Sequence, residues 1–477
     1  MQILGNVDTF AIVLCVVFLA YVLAILLPFL RRSPAAPGRR HDFFWHMIVP
    51  CLDEAAVIER SVQRLRYDHP TVHVWCVDDG STDATAEILE RLAHDDAFVH
   101  VVTRTPPRAR QGKGAALNAA WVAIANWCGD RLPLGVEKWV VVGVMDADGR
   151  LAPDALDLLA GPAAFGDPTI GAVQIQVRMI NRGVDRPDGD DPRPASRFGR
   201  TLVDLQDLEF RTVIAAMQHL RHGLGSAGMG GNGQFTRLSA LDGIAGYDGM
   251  PWHGALLEDF ELGLHVLLTG GRTAYCDDTW VAQEGLPRVS TLVRQRARWA
   301  QGGMQCAQYF RQVMGSRRLT TPAALEICYF LLIPWTQLIG TIVYTLASVE
   351  LLRYVLGDPG GPVAWAVNGG WGLLPLVGVF GVAPMAIWGI VYRLRCEPGI
   401  TRRRALWLGM AYWLYTYLMI VSVWRAFFRL VRRRSAWLKT QRVLGPTPAS
   451  AISPQPPAPQ VGRSLEPAPR LAGVHRA

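Results

Sequence analysis

Val141-Val142-Gly143-Val144-Met145-Asp146-Ala147-Asp148-Gly149 decides how this chain is read. A short apolar, β-branched run closed by a turn signal reads as a buried strand. It delivers two carboxylates one residue apart, and side chains at i and i+2 leave an extended chain on the same side. Hard divalent ions want oxygen ligands, and Mg²⁺ usually takes one or two carboxylates plus substrate phosphates. The spacing is common by chance, so taken alone an ordinary acidic turn competes with a metal site.

Working outward, the pattern repeats. Candidate strands at 46–50, 73–77, 99–103, 139–145 and 172–179 alternate with helical stretches near 55–65, 84–93, 114–127 and 155–159, with a further helix at 203–220. That alternation predicts an α/β domain over 42–320, with a mostly parallel sheet and helices on both faces. Ligands then bind beyond the carboxyl ends of the strands. Residues 181–194, rich in Gly, Pro and Asp, read as a surface loop.

Apolar segments flank this domain. Residues 9–30 are uncharged after Asp8's neighbour Thr9 and long enough to cross a bilayer core. No positive charge precedes them, whereas Arg31, Arg32, Arg39 and Arg40 follow, which predicts an uncleaved anchor with the following domain in the cytoplasm. A C-terminal transmembrane region is expected over 325–428, in two or three segments: 327–349, 363–392 and 405–424. A third full crossing would put the basic stretch from Arg425 to Arg442 outside, against the positive-inside rule, so a re-entrant or interfacial last segment stays open. Residues 429–444 read as a basic juxtamembrane segment, and the Pro- and Ala-rich 445–477 as a disordered tail.

Composition agrees with a membrane setting. Half of the residues are hydrophobic, and the net charge of +8 is carried almost entirely by arginine, with Lys113, Lys138 and Lys439 the only lysines. The Ala-, Gly- and Arg-rich usage fits a GC-rich bacterial genome. The arginines cluster beside apolar segments rather than in a stripe interleaved with aromatics, which argues against nucleic acid as a partner. The eight cysteines form no CxxC pair or zinc-type cluster and read as free thiols.

Four further constellations carry chemistry. Val77-Asp78-Asp79-Gly80-Ser81 ends a strand in two acids, where a carboxylate can accept hydrogen bonds from a base or ribose; an Asp-Gly turn is the competing reading. Gly112-Lys113-Gly114 opens a helix whose N-terminus favours anions, and Lys113 adds a point charge suited to a diphosphate. Leu257-Glu258-Asp259-Phe260 sets Asp259 at a helix start, where it can take a proton from an attacking hydroxyl or simply favour the helix dipole. Gln295 and Arg298 share a helix face with Trp299 beside them; arginine can hold a diphosphate and an indole can stack on a sugar, while a basic helix lying on the membrane is the alternative.

Taken together and in this order, these residues resemble the membrane-integrated branch of the family 2 glycosyltransferases. That branch includes cellulose, hyaluronan and poly-N-acetylglucosamine synthases and the glucosyl-diacylglycerol synthases. Val49-Pro50-Cys51-Leu52-Asp53-Glu54 looks like the family's V-P-x-x-N-E strand, with Asp53 in place of Asn. The resemblance implies a GT-A domain inserted between transmembrane helices. It implies a nucleotide-sugar site on Pro50, Asp53, Glu54, Asp79, Lys113 and Asp146, and Mg²⁺ or Mn²⁺ on Asp148, with Asp146, from the D-x-D. Gln176, Arg178 and Asn181 resemble the stretch after that motif. Gly231-Asn232-Gly233-Gln234-Phe235 looks like the acceptor-side loop, Glu258-Asp259 like T-E-D with Leu257 replacing Thr, and Gln295, Arg298 and Trp299 match Q-x-x-R-W fully.

The implied chemistry is metal-dependent inversion by single displacement. Asp259 removes the acceptor's proton, and the metal with Lys113 or Arg298 stabilises the departing UDP. The donor is expected to be UDP-glucose or UDP-N-acetylglucosamine, and the product a β-linked glycan polymer. The alternative is a glycolipid, as made by a monoglucosyldiacylglycerol synthase. The enzyme is expected in the cell membrane, multi-pass, with its catalytic domain in the cytoplasm. A non-catalytic scaffold is disfavoured by the intact Asp146, Asp148, Asp259 and Q-x-x-R-W set.

Overall fold

The computed structural model describes residues 2–182, 196–357, 360–372, 375 and 377–433. The expected tail at 445–477 lies outside them, as do nearly all of the 181–194 loop and most of the basic segment at 429–444.

One sheet of eight strands organises the domain: β1 (Phe44–Cys51), β2 (His73–Asp78), β3 (Val99–Thr103), β4 (Val140–Val144), β5 (Arg150–Leu151), β6 (Ile170–Met179), β7 (Gln234–Arg237) and β8 (Arg272–Gln283), in the order β3-β2-β1-β4-β7-β6-β8-β5. The strands anticipated from apolar runs all form. Their burial on both faces, with Ile48, Val49, Val77, Val140 and Val141 fully enclosed, explains why they read as continuous hydrophobic stretches.

The expectation of a mostly parallel sheet needs correcting. β1 to β4 pair in parallel, and so do β6 and β8, but β7 runs antiparallel between β4 and β6 and β5 antiparallel to β8, which makes a mixed sheet. β7 is mostly polar in sequence, yet all four of its residues are buried. Arg237 is accommodated by donating to the carbonyls of Ile170 and Phe165. Gly143 matters on the other face. A Cβ there would lie 2.6 Å from the Phe235 ring, which stands directly across in β7.

Helices cover both faces. α2 (Ile58–Asp68), α3 (Thr85–Asp95) and α5 (Ala155–Leu159) pack with one face, and α4 (Lys113–Arg131), α8 (Leu238–Asp248) and α9 (Glu258–Thr269) with the other. α6 (Arg197–Leu208) continues through a π-helical turn, Glu209–Ile214, into α7 (Ala215–Gly223).

After α10 (Val289–Cys306) and α11 (Phe310–Gly315) come α12 (Thr321–Leu356), α13 (Gly361–Val367), α14 (Ala383–Arg395) and α15 (Arg402–Val431). Among the described residues, α12 and α15 are long and apolar enough to cross a membrane. The expected anchor at 9–30 falls within α1 (Gln2–Arg31), a single helix of 30 residues. The expected apolar segment at 363–392 is not one helix. It breaks after Val367, at Gly369 and Gly370, and resumes through a π turn at Gly378–Val382. All eight cysteines are free.

Candidate functional site

A cleft open to solvent lies beyond the carboxyl ends of β1, β2 and β4. It gathers Pro50, Glu54, Asp79, Lys113, Asp146, Asp148, Glu258, Asp259, Gln295, Arg298 and Trp299 from six separate elements of sequence. Two expected residues, Asp53 and Gly233, lie outside its wall. Asp53, at a left-handed φ of 51°, accepts from the Thr82 amide (2.6 Å) and hydroxyl, so it ties the loop after β1 to the loop after β2. Gly233 is packed inside the sheet, where a Cβ would fall 2.5 Å from Val281, and its amide bonds the Val144 carbonyl.

On the β2 side, the Asp79 carboxylate receives the Arg104 guanidinium and the amide of Arg110 (3.0 Å). Burial raises its pKa above the usual carboxylate range, against the pull of those donors. The loop from 104 to 112 is thereby tied to Asp79.

At the centre, the β4 strand ends and Asp146 meets Lys113 Nζ at 2.7 Å. Burial opposes the ammonium, but Asp146 and Glu258 outweigh it and hold Lys113 above its ordinary pKa. The Asp146 amide donates to Asn232 Oδ1, and Asp148 Oδ2 accepts from the Glu284 amide.

Asp259 stands in the first turn of α9. Dense protein around it, and then the neighbouring Glu258 carboxylate, push its pKa up to about 7 against the attraction of Lys113. Glu258 is likewise raised, chiefly by burial. Gly231, at φ 77°, lets the backbone pass close by: a Cβ there would lie 2.7 Å from Asp259 Oδ2. A group poised near neutrality beside a cleft is suited to proton abstraction.

The far wall is α10. Its Arg296 is buried, donates to Glu209 at 2.6 Å in the π turn, and lies 4.4 Å from the Trp299 ring centre. Tyr415 of α15 donates to the same Glu209 carboxylate (2.9 Å), and Phe210 meets Trp299 edge to face. The motif helix is thus fixed to both the domain and the apolar helix behind it.

Sequence reasoning missed this Arg296–Glu209–Tyr415 anchor, and it missed the contribution of β8. Gln283 and Glu284 line the cleft, and Gln283 accepts from Asn232 Nδ2. Asn181 clasps the same turn through both hydrogen bonds with Gly285. A pointer existed in the Q-x-x-R-W segment itself: a second arginine, Arg296, sits between its fixed positions.

Known proteins resemble the chain over the same region. The family described as "Glycosyltransferase like family 2" matches residues 45–302. The Beta-monoglucosyldiacylglycerol synthase of Synechocystis sp. is 29% identical over 66% of this chain and 59% of its own length. That of Trichormus variabilis is 27% identical over the same shares. The chain therefore spans about three-fifths of these relatives. A solved structure, the mannosyltransferase PcManGT from Pyrobaculum calidifontis in complex with GDP-Man and Mn²⁺, aligns at a TM-score of 0.49 and 17% identity over 87% of this chain and 98% of that one.

Proposed function

The chain belongs to the family 2 glycosyltransferases, and from that premise we propose that it transfers a hexose from a UDP-sugar to a lipid acceptor at a membrane, with inversion. The observation that carries this reading is the convergence of Asp146, Asp148, Asp259 and Arg298 on one cleft. The names of the relatives favour glucose as the sugar and diacylglycerol as the acceptor. The cleft's apolar residues, Phe210, Leu256, Leu257 and Leu286, offer an acyl-bearing acceptor a compatible surface. α10 packs against the two long apolar helices through Met304, Leu338 and Val423, which ties the wall of the site to them.

In this mechanism Asp79 and the loops after β1 and β2 seat the nucleoside. Asp146 and Asp148 would hold Mg²⁺ or Mn²⁺, a hard cation suited to a carboxylate donor set. When bound, it neutralises charge on the diphosphate. Lys113 and Arg298 add positive charge around the leaving group. Asp259 accepts the acceptor hydroxyl's proton as that oxygen attacks C1 from the face opposite UDP, giving a β-linked product. Trp299, stiffened by Arg296, gives the sugar a stacking surface. The site faces the cytoplasm of a bacterial cell, and the apolar helices fasten the enzyme in its membrane as a multi-pass protein.

The test incubates the full chain, in vesicles containing diacylglycerol, with radiolabelled UDP-glucose or UDP-N-acetylglucosamine and Mg²⁺. Label in the organic phase, abolished by a chelator, supports the proposal. Label in a large aqueous or insoluble product would replace the lipid reading with glycan polymerisation.

A further inference from the structure

Apart from the residues that line the cleft, three side chains from α8, the loop 249–257 and α9 converge. Asp248, His253 and His265 each bring a ligand-capable atom within 4.8 Å of those of the other two.

The hydrogen bonds around them fix which atoms face inward. Tyr309 donates its hydroxyl proton to Glu261 Oε1 at 2.8 Å. His265 Nε2, 3.3 Å from that hydroxyl oxygen, must then be the donor to it. In a neutral ring this leaves His265 Nδ1 with only a lone pair, and that atom faces Asp248 Oδ2 at 3.2 Å. Two electron-rich atoms at that distance repel unless a cation lies between them. A proton would serve, but it would charge a buried imidazole beside a second imidazole, with ring centres 4.1 Å apart. His253 is oriented in the same sense. Its Nε2 meets the Met250 carbonyl at 2.9 Å, and an N–H there leaves Nδ1 as the acceptor. Imidazoles that ligate metals characteristically give their other N–H to a carbonyl, or to a carboxylate-linked partner, in this way. A hollow lined by His253, Glu261 and Tyr309 opens beside the group to solvent, leaving room for water on an ion.

We propose that Asp248, His253 and His265 form a second cation site, for an imidazole-preferring transition metal of the Zn²⁺ class. The two nitrogens and one oxygen differ in chemistry from the all-carboxylate pair Asp146 and Asp148, which suits harder ions. The bound ion ties the end of α8 to α9 across the loop that supplies Leu256 and Leu257 to the cleft. That loop is otherwise held at Trp252 by both hydrogen bonds of Asn118 and at Leu256 by Gln305. The site therefore stiffens the approach to Glu258 and Asp259 without touching substrate.

Co²⁺, whose visible absorption reports imidazole ligation, tests this on the full-length chain carrying Asp148→Asn, so that the carboxylate pair does not contribute. The expected result is one equivalent of Co²⁺ with a ligand-field spectrum, displaced by Zn²⁺. Adding His253→Ala should abolish it, and adding Asp248→Asn, at an exposed carboxylate whose loss spares the fold, should weaken it by more than about tenfold. No Co²⁺ uptake would mean that a proton occupies the gap and would overturn the proposal, as would a spectrum unchanged by His253→Ala.

Discussion

Gly231→Ala probes the geometry around Asp259 without altering any ionisable group. The added methyl would sit 2.7 Å from Asp259 Oδ2, about 0.7 Å short of an ordinary 3.4 Å contact. The carboxylate cannot simply swing aside, because its Oδ1 accepts the Phe260 amide at 2.7 Å. Alanine at a left-handed φ adds a further ~1–2 kcal/mol of backbone strain. If a displacement of about 1 Å in a reacting group costs roughly 100-fold, a shift of this size should lower kcat about 10- to 30-fold. The assay is steady-state transfer at saturating donor, paired with a UDP titration. The nucleotide-facing loops are built on β1 and β2, so UDP affinity should hold within about twofold, a change below 0.5 kcal/mol. A folded variant with undiminished kcat would refute the assignment of Asp259 as the proton acceptor held by this close approach.

Four other outcomes are expected. Transfer should rise with pH through about 7, because a protonated Asp259 cannot accept a proton; the pH profile of kcat/KM measures it, and a flat profile between pH 6 and about 8 would count against the role. The same raised pKa makes Asp259 stabilising only when protonated: its contribution is full below the unfolded value near 3.8 and is lost as pH rises through about 7, so Asp259→Asn should melt higher than the parent at pH 8 and no higher near about pH 4. Arg296→Met leaves the Glu209 carboxylate buried without its cation and should cost about 3–5 kcal/mol in thermal or denaturant unfolding. The stacked His46, His73 and His100 on β1 to β3 are held neutral by burial, with His73 pushed down to about 4, so their unfolded forms take up protons first and stability should fall as pH drops from about 6.5 towards 4; His100→Asn should flatten that acid slope in a melting series.

How much of this was legible in the sequence depended on how each element hides its polar groups. β1, β2 and β4 are written mostly in apolar residues because both their faces are covered. β7 is written Gln-Phe-Thr-Arg, and its buried Arg237 becomes tolerable only through carbonyls far along the chain, those of Ile170 and Phe165. β8 carries Asp277 and Asp278, whose partner Arg32 follows α1. No local pattern announces a strand that is satisfied at such distance. Asp79, Asp146, Asp148, Glu258 and Asp259 were visible because each follows an apolar run or opens a helix, whereas Glu284 was not. The anchor of α10 was not, since Arg296, Glu209 and Tyr415 are joined by the packing of three helices alone.

The central claim is that this cleft transfers sugar with Asp259 as its base. It is tested most directly by comparing the parent chain and Asp259→Asn in the same diacylglycerol vesicles with radiolabelled UDP-glucose, measuring UDP-sugar binding and organic-phase product side by side. The account predicts near-equal binding, a β-linked labelled lipid from the parent, and no product above background from the variant. Product formation by Asp259→Asn at the parent's rate would contradict it.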